Sequence, residues 1–262
     1  MRTGLVLCLV LFAQAGLAQQ DLQATKVISA SWASAPSHSA GIAPDPVQLL
    51  GSAIVQVYAA PTYGWRGFFA VHPWIIYKRM AETSYTRYDV VGWRAPQVVQ
   101  RNYAVPDGLW YGSTPELLVD LRGDGIESVI DDIEAAVASY PYAHQYRSYP
   151  GPNSNTFLAH IGRQVPALKL DLPANAVGKD YRPLTSPVGV SPSGSGVQIS
   201  LLGLLGVSVG VQEGLEFNVL GLNFGIDLNA PALRLPFWGR LGLKDMAAPM
   251  PGVRSDHALA DQ

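Results

Sequence analysis

Cysteine is almost missing from this chain: Cys8 is the only one in 262 residues, and it lies in the N-terminal apolar run. A disulfide scaffold, a thiol nucleophile and a cysteine-ligated metal site are therefore excluded beyond that run. Charge is scarce as well. Lys, Arg, Asp and Glu make up 15% of the residues, the net charge is −2, and none of the four types occurs between Arg182 and Glu213. Without a basic face to neutralise phosphates, nucleic acid is rejected as a partner. No phosphate-binding glycine loop, dinucleotide fingerprint, His-Glu-x-x-His zinc motif or Gly-x-Ser-x-Gly nucleophile elbow is present. The five histidines, His38, His72, His144, His160 and His257, are too scattered to suggest a metal site. No metal and no cofactor is expected.

What is there begins with an export signal. Arg2 precedes the apolar stretch Leu5 to Phe12, and the small residues Gly16 and Ala18 stand where a peptidase would cut. Residues 1–18 are expected to be a signal peptide that sends the chain to the periplasm or cell envelope. The apolar stretch is short for a bilayer span. Leu7 is too bulky to precede an acylated Cys8, so lipidation is not expected.

Apolar residues make up 48% of the chain, which fits a filled core or a surface lying against lipid. Residues 19–46, rich in Ala, Ser, Gln and Pro, read as a lead-in segment. Residues 47–182 read as the core. Alternating apolar runs predict strands over 53–58, 68–77, 85–93 and 97–103, with Pro73 demanding an edge position or a break. A loop is expected over 105–112. Helices are predicted over 125–139, with an apolar face of Ile126, Val129, Ile130 and Ile133, and over about 153–164. The Pro-, Ser- and Gly-rich stretch 183–196 reads as a linker. Glycine-spaced alternation over 197–243 favours β-hairpins over a membrane helix. The tail 244–262 is expected to be disordered.

Chemistry concentrates at His72 and at the Tyr-rich turn leading into the second helix. A helix opening at Asn153 or Ser154 sets free backbone N–H groups and its positive dipole end beside the Ser154 hydroxyl. A histidine from a neighbouring strand could serve that hydroxyl as general base. The same residues also fit an ordinary helix cap and a core histidine, and both alternatives stand.

The run Asn153-Ser154-Asn155-Thr156-Phe157 resembles the Asn-Cys-Asn-Thr/His-Phe motif of the permuted papain-fold peptidases of the PPPDE, or desumoylating isopeptidase, group. Pro166 and Leu172-Pro173-Ala174-Asn175-Ala176-Val177 follow in the order seen there. The stretch from Ala53 to Tyr181 is also similar to a bacterial family known only as a domain of unknown function. Its signatures read here as His72-Pro73-Trp74, Pro106 to Gly112 and Pro150 to Phe157. The resemblance implies an α+β fold, a permuted papain-like (NlpC-like) core with a Gly-rich β C-terminal extension.

It also implies a site in which Ser154, in place of the cysteine, is the nucleophile and His72 the base. Backbone N–H groups near Asn153 and Asn155 would be oxyanion donors, and Tyr88 or Asp89 would orient the histidine, with Tyr85 a further candidate. Trp74, Trp110 and Tyr146 would line the groove. A serine is harder to ionise than a thiol, so two functions follow. One is a hydrolase or acyltransferase acting on an amide or ester of the envelope. The other is a catalytically inactive module that binds an envelope peptide, glycan or lipid, with the apolar C-terminal region touching a membrane.

Overall fold

A computed structural model describes residues 34–243. The expected signal peptide, the lead-in up to residue 33 and the tail from 244 lie outside the described residues. Among the described residues there are twelve strands and two α-helices, and the fold is mostly β. That overturns the expected α+β papain-like core. Two purely antiparallel sheets of five and seven strands carry the architecture, and two α-helices accompany them among the described residues.

The first sheet has the order β4-β3-β2-β1-β5. Its members are β1 (Ile54–Pro61), β2 (Val71–Lys78), β3 (Thr86–Val90), β4 (Val99–Arg101) and β5 (Glu116–Arg122). The second predicted strand starts later than expected, because residues 64–68 form a 3-10 turn. Pro73 sits in β2 opposite Ala59, where β3 no longer runs alongside, since β3 pairs only with Ile75 to Tyr77. Strand β5, which the sequence reading left unassigned, pairs with β1.

Because side chains alternate along a strand, the two faces of this sheet differ. Val55, Val57, Ala59, Val71 and Ile75 face the helices α1 (Ile126–Ala138) and α2 (Ser154–Gln164) in one core. The opposite face carries Ile54, Tyr58, Ala60, Trp74 and Ile76, packed with Trp110. The loop through 105–113 and the lead-in near 36–44 cover that face. Trp74 Nε1 donates to Pro106 O at 2.8 Å, Arg87 Nη1 to Val105 O at 2.7 Å, and Ile42 N to Asp107 Oδ2 at 2.8 Å.

Three acids on the outer side of α1 hold one guanidinium: Arg79 bonds Glu127 at 3.0 Å, Asp131 at 2.7 Å and Glu134 at 3.1 Å.

The second sheet is a meander in sequence order, β6 (Val188–Val190), β7 (Gly196–Leu201), β8 (Leu205–Gly210), β9 (Gly214–Val219), β10 (Leu222–Asp227), β11 (Ala232–Leu235) and β12 (Gly239–Gly242). Strand β6 falls within the stretch expected to be a linker. The sheet is turned inside out. Gln198, Ser200, Ser208, Glu216, Asn218, Asn223 and Arg234 are buried, while Val197, Ile199, Val209, Phe217, Phe224 and Leu233 are exposed.

Buried polar groups are tolerable only when partnered. Lys179 Nζ bonds Glu216 at 2.6 Å, and Arg234 stands 3.2 Å from the other Glu216 oxygen. Arg234 also pairs with Asp171. Asp180 accepts from Asn218 at 2.9 Å and from Asn223 at 2.8 Å. Residues 171–180 thus act as a polar seal between the helical core and the second sheet.

Candidate functional site

The start of α2 is fixed by one side chain. Asn153 Oδ1 accepts from the backbone N–H of Asn155 at 3.0 Å and of Thr156 at 3.2 Å. Thr156 Oγ1 accepts from Asn153 N at 3.1 Å, completing a capping box. Asn153 Nδ2 donates to Ser148 O and to Val177 O. Gly178 passes so close that a Cβ there would lie 2.5 Å from the Asn153 amide, and its φ of +99° suits glycine. The Asn155 N–H is therefore spoken for by the cap. The Asn153 N–H is spoken for as well, by Thr156 Oγ1, so neither expected oxyanion donor is free to receive a developing negative charge.

Ser154 is buried, and its hydroxyl makes no hydrogen bond among the described residues. It is not one of the side-chain atoms sealed from solvent without a partner. Asn155 Nδ2 donates to Val71 O at 3.1 Å, which brings the helix start to the strand residue preceding His72.

His72 nevertheless faces elsewhere. It lies opposite Ala60 across the β1–β2 pair, so its side chain shares the face of Ala60, Tyr58 and Trp74, away from the helices. No hydrogen bond joins it to Ser154. Its imidazole lies against the Trp110 indole, centroids 3.8 Å apart and planes 8° from parallel. Nε2 is buried, without a hydrogen bond, and 3.6 Å from Asp89 Oδ2. Burial pushes the imidazole below its ordinary pKa, and Asp89 offsets this only in part.

Of the three orienting candidates, Asp89 is the one at His72. Burial works to raise its pKa, but the His72 ring and the Arg87 guanidinium outweigh it and hold the carboxyl below the ordinary range. Arg87 Nη2 donates to Asp89 Oδ2 at 2.8 Å, and its guanidinium lies 4.2 Å over the Trp74 ring. Tyr88 is on the other face, stacked near Tyr77, and Tyr85 donates to Pro44 O. Neither approaches the histidine as an orienting group.

The proposed groove residues also separate. Trp74 is fully buried and cannot touch a ligand directly. Trp110 is buried but continues the stack outward to Trp93, 6.1 Å away with planes 25° apart. Trp93, expected at the end of the predicted strand 85–93 and given no role in the site, is 56% exposed, and its Nε1 donates to Tyr103 Oη at 3.1 Å. Tyr146 is exposed beside it, its ring lying on Gly92, where a Cβ would meet it at 2.4 Å. Strand β3 ends at Val90, and Trp93 falls in the 3-10 turn Gly92–Arg94 that follows it, where the sequence predicted continued strand. The arrangement is a rigid aromatic ladder, running from a buried His–Asp–Arg cluster to an open indole.

Among the described residues no group of three His, Asp or Glu side chains is placed to hold a metal ion, and no helix is long and apolar enough to cross a membrane. Residues 52–181 match the family model described as a protein of unknown function (DUF3750), so this stretch carries that uncharacterised domain. The match spans β1 to the polar seal and includes His72, Asp89, Trp93, Trp110 and Ser154. No curated protein and no solved structure matches the chain.

Proposed function

We propose, taking the uncharacterised domain of residues 52–181 as the functional unit, that this is an exported envelope protein that binds a saccharide of the cell envelope without cutting it. The observation carrying this reading is the stack His72–Trp110–Trp93, buried at one end and open at the other. An indole held edge-on by Tyr103 offers a flat apolar plate whose freedom is already lost before a ligand arrives, which favours affinity. The apolar face of a sugar ring matches such a plate, and Arg94, whose guanidinium lies 5.0 Å over the Tyr103 ring, supplies donors at its side. His72, buried against Trp110, serves as a fixed wall of the platform.

The test is co-sedimentation with purified peptidoglycan sacculi. Trp93→Ala is expected to weaken binding by roughly tenfold or more, as loss of a central aromatic anchor does. Ser154→Ala is expected to leave it unchanged. Equal binding by wild type and Trp93→Ala would remove the platform from the account.

One observation favours a second reading, hydrolysis or acyl transfer at an envelope amide or ester. Among the described residues the Ser154 hydroxyl makes no hydrogen bond, and it stands at a helix start that Asn155 ties to Val71 O. It predicts that a fluorophosphonate probe labels Ser154 and that Ser154→Ala abolishes labelling.

A further inference from the structure

The register of the second sheet sorts its side chains into rows. One outward row runs Val190–Val197–Val209–Leu215–Ile226–Leu233–Leu241, and a second runs Val188–Ile199–Val207–Phe217–Phe224. A third is Leu201–Leu205–Val219–Leu222. Every residue in these rows is apolar. Glu213, Glu216, Asp227 and Arg234 are buried, and Arg240 is paired with Asp227 at 2.7 Å. Strand length and spacing give the face an extent on the order of 600 Å², at or beyond what a soluble monomer leaves bare.

The face continues into an aromatic rim. In a meander, alternate turns lie at the same end, so the turns after β7, β9 and β11 are together. There Leu220 is exposed, and Phe237 and Trp238 form the tip between β11 and β12, with Trp238 68% exposed. A separate segment joins them: Phe69 lies 5.5 Å from Phe237, and Trp65 lies 6.0 Å from Phe69. Trp65 is as exposed as Trp238, and the Arg66 guanidinium lies over its ring at 5.5 Å.

We propose that the outward face of the seven-stranded sheet is a lipid-docking surface, with the 64–69 turn and the 236–238 tip at its rim. An uncharged face suits acyl chains, and indole rings with an adjacent guanidinium suit the headgroup level. A second copy packed sheet to sheet would match the three apolar rows but gives no role to an indole and guanidinium paired on a separate segment at the rim. A bilayer surface accommodates both. The strands, of four to six residues beyond β6, are too short to span a bilayer, where about 9–11 residues are needed, so the sheet lies on the surface.

The test uses the exported chain with vesicles of phosphatidylethanolamine and phosphatidylglycerol. Wild type is expected to co-sediment. Phe217→Asp combined with Phe224→Asp, at the centre of the exposed face, is expected to weaken partition by roughly tenfold or more. Near-UV circular dichroism of the variant checks its fold. Should it not fold, bromine-labelled acyl chains in the same vesicles are expected to quench the tryptophan emission of wild type, and Trp238→Phe to lose part of that quenching.

Wild type that neither sediments nor is quenched overturns the proposal. In that case, dimers in analytical ultracentrifugation that dissociate in the double variant would give the face to a second copy. Monomers would give it to the chain's own ends.

Discussion

The imidazole of His72 and the indole of Trp110 lie face to face, 3.8 Å between centroids, and that contact seals the histidine from water. Burial is the largest influence on the His72 pKa and lowers it; the Asp89 carboxylate works in the opposite direction. Trp110→Ala admits water and is expected to raise the His72 pKa toward 6.5, whereas Asp89→Asn is expected to lower it further. Titration of the ring by NMR reads both shifts. Movement in the reverse sense in either variant contradicts the stated balance of burial and charge.

Two histidines make stability depend on pH in one direction. His72 and His160 both have folded pKa values lowered chiefly by burial from the ordinary 6.5. Above that value neither the folded nor the unfolded ring is charged, and their contribution is fully present. As pH falls through 6.5 toward the lower folded values, the unfolded chain binds protons that the folded one refuses. Thermal unfolding is thus expected to shift downward as pH drops from about 7 to about 5. Replacing both histidines with glutamine is expected to flatten that slope.

The cap of α2 predicts a contrast between neighbours. Asn153→Ala removes acceptors for two helix N–H groups and strips the Ser148 and Val177 carbonyls of a donor. A loss of about 2 kcal/mol or more is expected in urea unfolding. Ser154→Ala removes a hydroxyl that makes no hydrogen bond among the described residues and is expected to stay within about 0.5 kcal/mol. A large cost at Ser154 would reveal a partner for its hydroxyl.

The seal under the second sheet predicts another contrast. Lys179 and Glu216 are each about 1% exposed and meet at 2.6 Å. Lys179→Met strands a buried carboxylate beside Arg234 alone and is expected to cost about 3–5 kcal/mol. Glu216→Gln keeps a hydrogen-bonding group there and is expected to cost less. Chemical denaturation of the two variants ranks them.

Much of the local structure was legible. Ile126, Val129, Ile130 and Ile133 are spaced for a helix face and are buried as one, and Asn153 caps where a cap residue belongs. Strand β5 escaped because it is an edge strand, with Glu116 and Leu117 exposed, and its alternation is blurred.

Period-two alternation over 197–235 marked the hairpins but not which parity faces inward. That depended on Lys179, Asp180 and Asp171 meeting Glu216, Asn218 and Arg234 from a distant loop. At the site, Ser154 and His72 share a motif order with a peptidase family, yet strand parity turns His72 toward Trp110. Whether a strand residue faces one side or the other changes with a single-residue shift, and no spacing between motifs reports it.

The most direct measurement follows the tryptophan indole N–H signals in a ¹H–¹⁵N spectrum as an N-acetylglucosamine tetramer is added. The signals of Trp93 and Trp110 are predicted to move together and saturate, while those of Trp65 and Trp238, at the rim of the seven-stranded sheet, stay in place. An unchanged Trp93 signal, or equal movement at all four, would contradict the aromatic ladder as the binding platform.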